Sequence, residues 1–123
     1  MDATTLRETT MHEYSVAAAL IDCVAREAAA RGAKRVVAIK VRLGELSGVE
    51  PSLLSTAYAV SREHTICEGA PLELEAVPAA WSCRKCGRPV LHGLRCSRCD
   101  VPAILVAGDE IVLGLIEMEV PDV

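Results

Sequence analysis

The stretch WSCRKCGRPVLHGLRCSRCDV, residues 81–101, carries two close cysteine pairs, Cys83-x2-Cys86 and Cys96-x2-Cys99. Each pair can set two thiolates on one side of a tight turn. Two such turns facing each other make a tetrahedral four-sulfur cage, the arrangement structural zinc prefers. Buried but unliganded cysteines, or a redox dithiol pair, are the competing readings; two matched pairs in a reducing compartment favour metal. The nine residues between the pairs contain Pro89, Gly93 and Val90-Leu91, enough for a short return. Gly87, directly after Cys86, suits a turn with positive φ. Four thiolates close the coordination sphere, which argues for a structural and against a catalytic metal. His92, inside the arm, reads as a solvent-facing loop residue before a ligand. The pairs therefore predict a zinc-binding, zinc-ribbon-like module over residues 80–108, inserted into a larger unit.

That larger unit is read outward from the module. Before it, Leu72 to Ala76 alternates as a half-buried strand; after it, Ile111 to Val120 reads as another. These two are expected to pair antiparallel, with the module as a metal-tied hairpin excursion. Farther back, Val37, Ile39, Val41 and Leu43 alternate with Lys40 and Arg42, which predicts a strand with one buried face. From Met11, Val16, Ala17, Leu20, Ile21, Val24 and Ala28 recur at helical spacing, and Gly32 is placed to end that helix. Pro51 suits the first turn of a second helix, running to about Glu63 with Leu53, Leu54, Ala57 and Val60 inward. The expected fold class is α+β: two helices packed on a small three-stranded sheet, with the cysteine module inserted. The α/β unit comprises residues 11–79 and 109–123. Residues 1–10 are polar and aperiodic, a flexible lead-in or a start codon assigned too early.

Composition bounds the function. The 123 residues are 51 % hydrophobic, enough for one modest core. Aromatics are confined to Tyr14, Tyr58 and Trp81, so the core is aliphatic. A net charge of −4 argues against non-specific nucleic-acid binding by the whole chain. No apolar run approaches the roughly 18–20 residues that span a bilayer, and no secretory signal is visible at the N-terminus. A cytoplasmic protein with no membrane association is expected. Cys23 falls in the apolar helix and reads as a small core residue; the role of Cys67 stays open.

Met11-His12-Glu13-Tyr14-Ser15 opens the first helix. With Leu43-Gly44-Glu45-Leu46-Ser47-Gly48-Val49, the four paired cysteines and Gly108-Asp109-Glu110, it resembles the HypA/HybF family of nickel metallochaperones in [NiFe]-hydrogenase maturation. The resemblance runs from Met11 to about Val120. It implies a binding protein and not an enzyme, with nickel as cargo and zinc as structural cofactor. It also implies work with a HypB-type GTPase, docking on the hydrogenase large subunit, and supply of urease in some organisms. Met11, His12 and Glu13 are the implied nickel site, with Cys83, Cys86, Cys96 and Cys99 the implied zinc ligands. Ni²⁺ favours square-planar nitrogen donors. A free amine on Met11, the next two backbone nitrogens and the His12 imidazole would form fused chelate rings. That chemistry requires His12 to be the second residue of the chain, whereas ten residues precede Met11 as written. A further departure is the short arm, with Gly87 and Asp100 beside the cysteine pairs where some family members place His.

Two other readings stand beside this one. The module is locally basic through Arg84, Lys85, Arg88, Arg95 and Arg98, so it could bind nucleic acid or an acidic protein partner. The absence of interleaved aromatics counts against base stacking. A purely structural adaptor would bind neither nickel nor nucleic acid. A homodimer is left open.

Overall fold

The computed structural model describes the backbone of residues 2–121 and the side chains of residues 12–121. The chain runs α1 (Asp2–Ala30), β1 (Arg35–Gly44), α2 (Pro51–Ser61), β2 (Leu72–Val77), β3 (Ala80–Cys83), β4 (Ala103–Ala107) and β5 (Ile111–Glu119). β1 is the most buried strand of the chain, and it takes the centre of a three-stranded sheet ordered β2-β1-β5. β5 pairs with it antiparallel, and β2 pairs with it parallel. A parallel neighbour needs a crossover, which α2 supplies. Both helices contribute to the core over the sheet, α1 towards β5 and α2 towards β2. Ala17, Val24, Ile39, Val41, Leu54 and Ala57 are fully buried there. The α+β class, with two helices on a small three-stranded sheet, is thus as the sequence predicts.

Several details differ. β2 and β5 do not pair with each other; β1 lies between them. The central place goes to β1 although Lys40 and Arg42 interrupt it and β5 opens with the longer apolar run, an order that neither alternation nor apolar run length reveals. The module has its own ribbon, β3 paired antiparallel with β4, which the sequence reading missed. In β1 the register slips between Val36 and Ala38, so Val36 turns inward and Val37 outward. That bulge defeats the simple period of two. In α2, Leu53 and Val60 are exposed, while Tyr58 is buried and donates its hydroxyl to the Ala70 carbonyl at 2.8 Å. The helix ends at Ser61, two residues before the expected Glu63. Cys23 is exposed, on the solvent side of α1. α1 itself starts at Asp2 and not at Met11, since no Gly or Pro interrupts residues 2–30. The side chains of residues 1–11 lie outside the described ones.

The module is rooted on the sheet by backbone bonds. Leu46 N–H donates to the Gly108 carbonyl at 2.7 Å, Gly44 N–H to Glu110 at 2.8 Å and Glu45 N–H to Val77 at 2.8 Å. The Glu45 carboxylate accepts from Ala79 N–H at 2.7 Å. Here the chain packs backbone on backbone. A side chain on Gly44 would run into the Gly108 carbonyl, and one on Gly108 would come within 2.6 Å of Ala79 Cα. Gly108 also has φ +98°, a conformation that other residues seldom adopt. The Leu43–Val49 loop and the Gly108-Asp109-Glu110 turn, far apart in sequence, are therefore one joint.

Candidate metal centre

The cage grows from two similar knuckles. In the first, Gly87 N–H closes on the Cys83 carbonyl at 2.7 Å; in the second, Asp100 N–H closes on Cys96 at 2.8 Å. Each turn needs a left-handed residue after its second cysteine. Gly87 takes φ +77°, as expected from sequence, and Asp100 takes φ +54°. Asp100 is one of the few non-glycine residues that tolerate this region. β3 delivers Cys83, the start of β4 follows the second knuckle, and bridges between Ser82 and Pro89 and between Arg95 and Pro102 tie the arm down.

The four sulfurs of Cys83, Cys86, Cys96 and Cys99 all lie within 4.8 Å of one another. Cys86 Sγ and Cys96 Sγ are 3.9 Å apart. A tetrahedral ion with sulfur at about 2.3 Å needs sulfurs about 3.8 Å apart, so the cage fits such an ion with little adjustment. Backbone N–H groups of Lys85 and Cys86 point at Cys83 Sγ at 3.3 and 3.4 Å, and Cys99 N–H points at Cys96 Sγ at 3.4 Å. The donation from Cys86 N–H, joined by that from Lys85, pulls the Cys83 pKa down to about 6 against the opposing effect of burial. Burial, reinforced by the neighbouring thiols, pushes Cys99 up to about 12. A thiol binds a metal as the thiolate and so must give up its proton. Metal uptake by this cage should release protons and strengthen as pH rises. His92 is exposed in the arm and forms no part of this four-sulfur group.

The other implied site lies at α1. His12 is exposed, and the next residue, Glu13, is fully buried. Glu13 Oε2 accepts from Glu50 N–H at 2.7 Å, while Oε1 has no partner among the described residues. Glu50 is the N-cap of α2, its carboxylate accepting from Leu53 N–H at 3.0 Å. The Ser52 hydroxyl, and secondarily Leu53 N–H, hold the Glu50 carboxyl below its usual range. Glu13 therefore clamps α1 to the entry of α2, beside His12. Sequence reading gave Glu13 a role through its backbone nitrogen and missed this side-chain clamp. The only hint was Glu50-Pro51, an acidic cap followed by proline at a helix start. Glu13→Ala should cost about 2 kcal/mol by stranding the Glu50 N–H, and Glu13→Gln, which keeps an acceptor, less than about 1 kcal/mol. Urea unfolding of the two variants separates them.

A small α+β unit with an inserted four-thiol cage defines a metal-binding protein with a metal-tied module. The family model for "Hydrogenase/urease nickel incorporation, metallochaperone, hypA" matches residues 11–118. The chain belongs to this family of nickel metallochaperones. Among curated relatives, it is 38 % identical over 117 residues to hydrogenase maturation factor HypA of Wolinella succinogenes, covering 91 % of this chain and 98 % of that one. It is 40 % identical over 107 residues to the Deinococcus radiodurans factor of the same name, with 84 % and 89 % covered. Among solved structures, it resembles the solution structure of the Ni metallochaperone HypA from Helicobacter pylori. There the TM-score is 0.70 at 26 % identity, over 89 % of this chain and 98 % of that one. A second solution structure of a HypA protein gives 0.72 at 29 %, with 88 % and 96 % covered. Among the described residues no helix is long and apolar enough to cross a membrane.

Proposed function

We propose that this chain binds one Ni²⁺ at Met11-His12-Glu13 and hands it to a [NiFe]-hydrogenase large subunit, while its four-cysteine cage holds a structural zinc. The observation that carries the nickel site is the exposed His12 imidazole set beside the anchored Glu13, at the very end of the family match. A helix leaves its first four N–H groups unbonded. With Met11 as first residue, the His12 and Glu13 nitrogens belong to that unbonded set and are open to deprotonation by nickel. With α1 continuous from Asp2, the same nitrogens lie inside the helix. The site therefore works in a chain that begins at Met11. On this reading residues 1–10 lie outside the functional unit, residues 11–79 and 109–123 form the nickel domain, and residues 80–108 form the zinc domain.

Zinc supplies no chemistry here beyond fixing the module: the cage offers four soft thiolates and no open position. The wider reading places the protein in the cytoplasm as a carrier without catalysis. A HypB-type GTPase is its partner, the hydrogenase large subunit its acceptor, and urease a second client. The test is transfer. The chain, loaded with radioactive nickel, is mixed with a metal-free large subunit and the two are separated by size. Nickel moving to the large subunit supports delivery; nickel staying with the chain, or passing equally to albumin, contradicts it.

A further inference from the structure

The arm and the second knuckle enclose a cleft of about 450 Å³ whose lining includes Arg88, Val90, Leu91, Arg95 and Arg98. Its charge is out of keeping with the rest of the molecule. Residues 80–108 hold five of the thirteen Lys and Arg but one of the seventeen acids, so the remainder carries eight bases against sixteen acids.

Such cations could serve only to offset the negative charge of a filled thiolate cage. The geometry points elsewhere. The donors to Cys83 and Cys96 sulfur are the backbone N–H groups of Lys85, Cys86 and Cys99, and no basic side chain bonds to a thiol among the described residues. Of the five cations in the module, only Arg95 has a carboxylate partner among the described residues, Asp100 at 3.2 Å. Arg88 and Arg98 are exposed, with no acid within salt-bridge distance among the described residues. Beside them Leu91 is 82 % exposed and Leu94 60 %. Apolar side chains this open, set among unpaired guanidinium groups, suit a contact surface better than a solvated turn.

We infer that this cleft is a docking site for a short acidic segment of a partner protein, one that carries a leucine-like side chain between its carboxylates. Guanidinium groups fit carboxylates in paired, planar fashion, while the half-buried Val90 and the exposed Leu91 supply apolar contact. Charge complementarity selects this occupant. A nucleic acid suits it less: no Phe, Tyr or Trp lines the cleft and His92 is its one ring for stacking, and the acidic remainder of the chain would repel a long polyanion. The site is separate from the nickel reading and does not depend on it.

The test uses the metal-loaded full chain and a fluorescent peptide, acetyl-Glu-Leu-Asp-Glu-Leu-Asp-amide, followed by anisotropy. Saturable binding is expected, weakening at least fivefold between 50 and 300 mM salt. The double variant Arg88→Glu/Arg98→Glu should bind at least tenfold more weakly, and Leu91→Ser several-fold, each with metal content unchanged. Arg26→Glu, on α1, should bind like the parent. The proposal is overturned if the peptide shows no saturable binding, or if the double variant binds equally well. Tighter binding of a uridine dodecamer than of the peptide would assign the cleft to nucleic acid instead. A dimer that the same double variant breaks would assign it to a second copy of the chain.

Discussion

His12→Ala, made in a chain that begins at Met11, should lose nickel affinity by at least about a hundredfold while keeping its fold and its cage metal. The magnitude follows from what the residue supplies. The imidazole is the sole side-chain nitrogen of the proposed chelate and closes one of its rings, so without it the remaining donors are an amine and two amides that must each shed a proton. The structural cost is small, because His12 is exposed and makes no hydrogen bond among the described residues. The anchor next to it, Glu13 on Glu50 N–H, is untouched. Isothermal titration with Ni²⁺ reads the affinity, and circular dichroism reads the fold. Unchanged nickel affinity would remove His12 from the site.

The second large effect concerns the cage. Cys96→Ser should release the metal and unfold the module, leaving the β2-β1-β5 sheet and its helices in place. Residues 80–108 have little else to hold them: the ribbon of β3 and β4 is short, and Cys83, Cys96 and Gly108 are its buried residues. Metal binding in such modules amounts to most of their folding free energy, on the order of 10 kcal/mol. The main core lies apart, built from α1, β1 and α2. The joint at Gly44 and Gly108 is where the loss should stop. Chelation of the parent should mimic the variant. NMR spectra would show the Arg84–Val101 signals collapse towards random-coil shifts while those of Ile39, Val41 and Leu54 persist. Collapse of both sets would mean that the module and the main core are one cooperative unit.

The sequence exposed the cage almost completely, because ligand spacing and turn geometry are local properties. Gly87 could be assigned its left-handed φ from its place after Cys86; Asp100 does the same work in the second knuckle but is less conspicuous than glycine. The helices and the three strands of the main sheet were legible from their periods. What was not legible depends on contacts between distant segments. Strand order turns on which strand buries more, so the pairing of β1 with both β2 and β5 had no local sign. The bulge at Val37 reversed two side chains without changing composition. In α2 the aliphatic Leu53 and Val60 faced out while Tyr58 went in, because its hydroxyl had a carbonyl to meet at Ala70. Cys23 misled for a related reason: small apolar residues are tolerated on both faces of an alanine-rich helix. The Glu13 clamp joins residues 37 apart in the chain, beyond the reach of any motif.

On the proposed reading, a free amine at Met11, followed by His12, makes the nickel site. The most direct test of this reading is a Ni²⁺ titration, with metal analysis, of two purified chains, one beginning at Met1 and one at Met11. Each should contain one zinc. The Met11 chain should bind one tight nickel and release protons as it does so, and the Met1 chain should bind it far more weakly. Equal tight binding by both would contradict the role of the amine, and no tight nickel in either would contradict the site itself.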